Sequence, residues 1–70
     1  MTQIRKVFSK NLKRLRKRKG LTQEELAEKL EISVRYVQQL EGINCPNVKI
    51  DTIAVLAKTL GAKPADFMEN

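Results

Sequence analysis

Between Ser33 and Glu41 the chain carries Val34, Arg35, Gln38 and Gln39 around a short apolar pair, Val37 and Leu40. Projected as a helix at roughly 100° per residue, Val37 and Leu40 fall together and must face a core. Val34, Arg35, Gln38 and Gln39 spread over the other side, with Tyr36 at the border. These side chains match the edges of DNA base pairs. An arginine fork donates to both acceptors of guanine, a glutamine amide pairs with adenine, and a valine methyl meets the methyl of thymine. Each good bidentate contact discriminates against the wrong base by about 1–3 kcal/mol. A solvated helix face with no partner has the same composition, so the surrounding elements must decide between the two.

Other chemistries are poorly supplied. There is no histidine and only one cysteine, Cys45, so no ordinary zinc or haem site is expected and no cofactor is implied. A lone cysteine forms no internal disulfide, which fits a reducing, cytoplasmic compartment. Redox sensing at Cys45 would require an exposed thiolate, and a plain loop residue is the simpler reading. Glu24, Glu25 and Glu28 lie close together, but at the start of a helix, where acids suit the dipole. No nucleophile–base pair accompanies them, so the chain does not read as an enzyme.

Seventy residues allow one domain at most, with 41% apolar residues for a core and 31% charged residues for its surface. Net charge is +6. Arg5, Lys6, Lys10, Lys13, Arg14, Arg16, Lys17, Arg18 and Lys19 hold most of the positive charge, and no acid precedes Glu24. Polyanions are natural partners for such a surface; a solvated helix face and a membrane-surface helix are the alternatives. No apolar run marks a signal peptide or a spanning helix, so no membrane partner is expected.

The elements follow from periodicity and caps. Ile4, Phe8, Leu12 and Leu15 mark one face of a helix from about Thr2 to Lys19, closed by Gly20. Thr22-Gln23-Glu24-Glu25 is a capping box opening a helix to about Leu30 that buries Leu26, Ala27 and Leu30. Glu31-Ile32 is a turn, and Ser33 caps the next helix, to about Glu41. Gly42, Asn44, Pro46 and Asn47 mark a loop through Lys49. Ile53, Leu56, Ala57 and Leu60 define the inner face of a helix from Ile50 to Leu60, capped by Gly61. Pro64 starts a short final helix through Met68. Phe67 and Met68 read as core and its edge. Were they exposed beside Ile53 or Val55, they would instead form a dimer patch.

Residues 11–67 resemble the Cro/C1-type helix-turn-helix family of phage repressors and bacterial regulators, also called the xenobiotic-response-element family. The resemblance rests on Leu12, Leu15, Arg16, the run Lys19-Gly20-Leu21-Thr22-Gln23-Glu24-Glu25-Leu26-Ala27, Ile32-Ser33, Val37, Leu40-Glu41, Ile50, Thr52, Leu56-Ala57-Lys58, Leu60-Gly61 and Phe67. It implies an all-α, compact five-helix, lambda-repressor-like domain in which the second and third helices form the helix-turn-helix.

The resemblance also implies roles. Val34, Arg35, Gln38 and Gln39 stand where the family reads bases. Gln23, Ser33 and Tyr36 stand at backbone-phosphate positions, and Arg16 with Glu41 where the family forms a partly buried ion pair. The chain departs from the family at two places. Glu31 occupies the turn position where glycine is usual, so either that residue is strained or the turn differs. The loop after Glu41 is about one residue longer and carries no Lys or Arg from Gly42 to Asn47, which leaves Asn44, Asn47 and Lys49 as substitutes. Lys13 and Lys17 on the first helix, with Lys10 and Arg14, are the further phosphate candidates.

The expected function is a transcription regulator that binds double-stranded DNA as a homodimer, with no metal. A repressor, a restriction–modification controller and an antitoxin all fit. Two other classes remain open: a protein-interaction module on the same fold, and a non-specific nucleic-acid binder led by the basic first helix.

Overall fold

The computed structural model describes residues 2–69, and the statements below concern those residues. Four α-helices run in order: α1 (Thr2–Arg18), α2 (Gln23–Leu30), α3 (Val34–Leu40) and α4 (Ile50–Leu60). A single 3₁₀ turn, Pro64–Phe67, follows. The chain is all-α, but the expected fifth helix is this 3₁₀ turn. Its local signals explain why. Pro64 sits at the first position, the Asp66 carboxylate accepts from the Lys63 N–H at 3.0 Å, and Asp66 and Met68 donate to carbonyls only three residues back. Four residues are too few to close the wider α-helical ring more than once.

The caps are local devices, and they work as the residues suggest. Thr22 Oγ1 accepts from the Glu25 N–H at 3.0 Å while the Glu25 carboxylate accepts from the Thr22 N–H at 2.8 Å. Ser33 Oγ accepts from the Tyr36 N–H at 3.0 Å. Helices α1, α2 and α4 all end in the same doubly bonded left-handed closure. At the first, Leu21 donates to the Arg16 carbonyl and Gly20 to that of Lys17. At the last, Ala62 donates to Ala57 and Gly61 to Lys58.

Between α2 and α3 the left-handed residue is Glu31, at φ 58° and ψ 41°. The turn is therefore the ordinary one, made without its glycine. A side chain in this conformation costs about 1 kcal/mol or more. Glu31→Gly is expected to raise unfolding free energy by about 0.5–1 kcal/mol in chemical denaturation, once the entropy of a more flexible unfolded chain is set against the relieved strain. Glu31→Ala serves as the control and should yield no such gain.

One core holds these elements together. Phe8, Leu12 and Leu15 of α1 meet Leu26 and Ala27 of α2, Val37 and Leu40 of α3, Leu56, Ala57 and Leu60 of α4, and Phe67. Phe8 and Phe67 stack with centroids 5.5 Å apart. Cys45 is buried in the same core, where its side chain packs as a small apolar group. Leu30 and Ile53 are only half-buried.

Ile4 corrects the expectation for α1. It lies on the apolar face by periodicity, yet 57% of its surface is exposed. The first turn of α1 lacks full cover, and Ile4 instead borders an apolar groove of about 290 Å³ with Phe8, Cys45, Val48, Ile53 and Met68. Val55 lies elsewhere, lining a second groove with Leu30, Ile32 and Tyr36. The single patch imagined for Phe67, Met68, Ile53 and Val55 is thus divided, with Phe67 fully buried.

Candidate nucleic-acid interface

Helix α3 turns Val37 and Leu40 inward until neither has measurable exposure. On a seven-residue helix that orientation dictates the rest. Arg35, Gln38 and Gln39 are all exposed on the opposite side. Val34 and Tyr36 fall on the two flanks, half-buried and packed against the core. Val34 was expected on the open side with the other three. Its half-burial follows from the helix angle, which brings it about 60° from Val37 when projected. Tyr36 leans toward α2 and α4, over Ile32 and Val55, away from the three exposed polar residues.

A polar hub holds this helix in place. Arg16 of α1 meets Glu41, at the end of α3, in a two-pronged pair: Nε to Oε2 at 2.6 Å and Nη2 to Oε1 at 3.1 Å. Its third nitrogen, Nη1, donates to the Leu21 carbonyl at 2.7 Å. The side chains are only 8% and 3% exposed. Gln23 Nε2, at the first turn of α2, donates to Glu41 Oε1 at 3.1 Å. A carboxylate only accepts, so the nitrogen end of the Gln23 amide must face it. That fixes the amide and leaves its second N–H free to donate. Gln23, read from sequence as a direct phosphate contact, is thus also a strut of the hub.

Ser33 is exposed, and its oxygen is engaged as an acceptor by the Tyr36 N–H, leaving the hydroxyl proton free. Asn44 is exposed and lines one open cleft with Arg35, Gln38 and Gln39. The cations of α1 divide by angle. Arg5 and Arg16 point to the side of the α3–α4 loop and α3, since Arg5 Nη2 donates to Asn47 Oδ1 at 2.7 Å and Arg16 grips Glu41. Lys13 borders that side, Lys17 lies further round, and both are exposed. Arg14 is turned the other way. It donates to Asn11 Oδ1, while Asn11 Nδ2 donates to the carbonyls of Phe67 and Glu69. Lys10 shares a groove with Arg14 and Asn11, so both cations stand apart from α3.

Two residues of this surface were not legible beforehand. Arg5 brings a cation to a loop that has none between Gly42 and Asn47. Ile43, in the same loop, is 91% exposed and lines the cleft beside Arg35, Gln38 and Gln39. Local sequence carried no signal for either, because both depend on how the loop folds back across α1 and α3.

Among the described residues no helix is long and apolar enough to cross a membrane. No curated protein and no solved structure matches the chain. A family model described as a helix-turn-helix domain matches residues 8–69, which span the core, the α2–α3 pair and the final turn. The capped α2, its left-handed turn and the outward polar face of α3 are the parts such a motif requires, and this chain belongs to the helix-turn-helix domain family, consistent with a Cro/C1-type DNA-binding protein.

Proposed function

We propose that this protein is a transcription regulator that binds duplex DNA sequence-specifically, with α3 in the major groove. The observation that carries this reading is the grouping of Arg35, Gln38 and Gln39, all exposed, on the face of α3 opposite Val37 and Leu40. Three side chains with donors suited to guanine and adenine edges stand on one short rod held by the Arg16–Glu41 hub. Gln23, Ser33 and Asn44 are the proposed phosphate contacts, with Lys13 on the flank and Lys17 further round α1, about 100° from Arg16. Tyr36 contributes only through its edge, and Val34 only if a thymine methyl reaches the flank of α3.

One copy carries one α3 of seven residues, about 10 Å long, against the ~34–36 Å between successive major-groove faces on one side of DNA. One copy therefore reaches one half-site. Two copies related by a two-fold axis would read a near-palindromic operator and regulate by occupying it.

Arg35→Ala tests the reading. In selection from a random duplex library, the native chain is expected to recover inverted half-sites centred about one helical turn apart. The variant should lose about tenfold or more in preference at one base pair per half-site, the equivalent of one bidentate contact. Unchanged preference at every position would remove Arg35 from the reading set. Binding without a consensus, with a steep salt dependence, would make the protein a non-specific binder. Ile50 and Val55, 83% and 53% exposed on α4, favour the interaction-module reading should the chain fail to bind DNA at all.

A further inference from the structure

Ile43 is the most exposed large apolar residue among those described, at 91%. Its position is set by Gly42. The Gly42 N–H donates to the Gln39 carbonyl at 3.1 Å, and a Cβ on Gly42 would stand only 3.1 Å from the Gln38 carbonyl. Lacking that atom, the chain turns back hard against the last turn of α3. Ile43 consequently lines the same open cleft as Arg35, Gln38, Gln39 and Asn44.

An isoleucine there contributes nothing to the core. It also offers no donor to a phosphate. It is a branched hydrocarbon held beside three polar side chains, and the floor of a major groove presents one apolar feature at its edge, the C5-methyl of thymine. We propose that Ile43 is a specificity-determining residue that packs on a thymine methyl adjoining the bases met by Arg35, Gln38 and Gln39. The assignment rests on the proposed entry of α3 into the major groove. It extends base reading from the helix to the loop and supplies an apolar contact where the loop carries no cation from Gly42 to Asn47.

The test uses the selected operator with each thymine replaced in turn by deoxyuridine, which removes only the methyl group. Wild-type protein, Ile43→Ala and Ile43→Val are compared. Wild type should lose about fourfold in affinity at one thymine per half-site, the effect of unburying one methyl group. Ile43→Ala should bind the thymine and deoxyuridine forms equally at that position, while Ile43→Val keeps the preference. The slope of affinity against salt should be the same for all three, because no phosphate contact changes. With a side chain this exposed, Ile43→Ala should also melt with the wild type.

If Ile43→Ala keeps the wild-type thymine profile at every position, the proposal is overturned. It is equally overturned if the variant alters self-association or salt slope alone. Failure of the underlying reading looks different: the wild type itself then recovers no consensus, and no thymine position distinguishes the two proteins.

Discussion

Arg16→Met is expected to destabilise the domain by about 3–5 kcal/mol, the cost of stranding one member of a buried ion pair. Methionine fills most of the space but leaves the Glu41 carboxylate, 3% exposed, with the Gln23 amide as its remaining partner. Glu41→Leu should cost a similar amount, since the Arg16 guanidinium, 8% exposed, would retain only the Leu21 carbonyl. The double variant Arg16→Met/Glu41→Leu should recover much of the loss, because two apolar groups strand no charge. For a chain of this length total stability is about 4–10 kcal/mol, so either single variant stands close to unfolding at 37 °C. Denaturant titration of all four proteins checks the cycle. Single variants that each cost under about 1 kcal/mol would mean that the pair behaves as a solvent-screened surface contact. The hub touches α1, the α1–α2 connection, α2 and the end of α3. Its loss should therefore degrade DNA selectivity even where the fold survives, because the angle of α3 against α2 would no longer be held.

Phe67→Ala is the second large effect, also about 3–5 kcal/mol, through the lost burial of a fully covered ring and the cavity it leaves. The ring stacks on Phe8, and its own backbone carbonyl accepts from Asn11 Nδ2 at 2.9 Å. One residue therefore anchors the final turn to α1 by both packing and hydrogen bonding. In a domain of this size each kcal/mol lowers the midpoint by about 4–8 °C, so thermal melting should fall by at least ten degrees or so. Phe67→Leu keeps most of the volume and should cost well under half as much. A melting point for Phe67→Ala within a few degrees of wild type would show that the final turn is an appendage, and that α1 to α4 form the cooperative unit alone.

Much of this molecule could be read before its structure because its decisive signals are local. Thr22 with Glu25, Ser33 with the Tyr36 N–H, and Gly20 and Gly61 after their helices each act within one turn of chain. Hydrogen bonds that close over three to five residues depend little on what packs above them, so the starts of α2 and α3 and the ends of α1 and α4 follow from residue types alone. The inward set Leu12, Leu15, Leu26, Leu56 and Leu60 was legible for the same reason, since a 3.6-residue period is a property of the helix itself.

What periodicity leaves undecided is where the cover stops. Ile4 has the right phase but lies where α1 outruns its neighbours, and Val34 is drawn half inward by the angle at which α3 seats. The charges show the same division. Their number on α1 and the opposite phase of Arg5 and Arg14 are plain in the sequence, yet only the fold of the distant loop brings Asn47 to Arg5. Ile43 is the clearest case. Nothing in its flanking residues marks it, because its exposure beside Arg35, Gln38 and Gln39 arises from the turn at Gly42 against α3. The sequence by itself determined the helices, their ends and the helix-turn-helix motif, all written in short-range hydrogen bonding and helical phase. The tertiary structure alone decided which outward residues of different elements share a surface, as Ile43 and Asn44 do with α3, because that depends on how the loop and the helices pack.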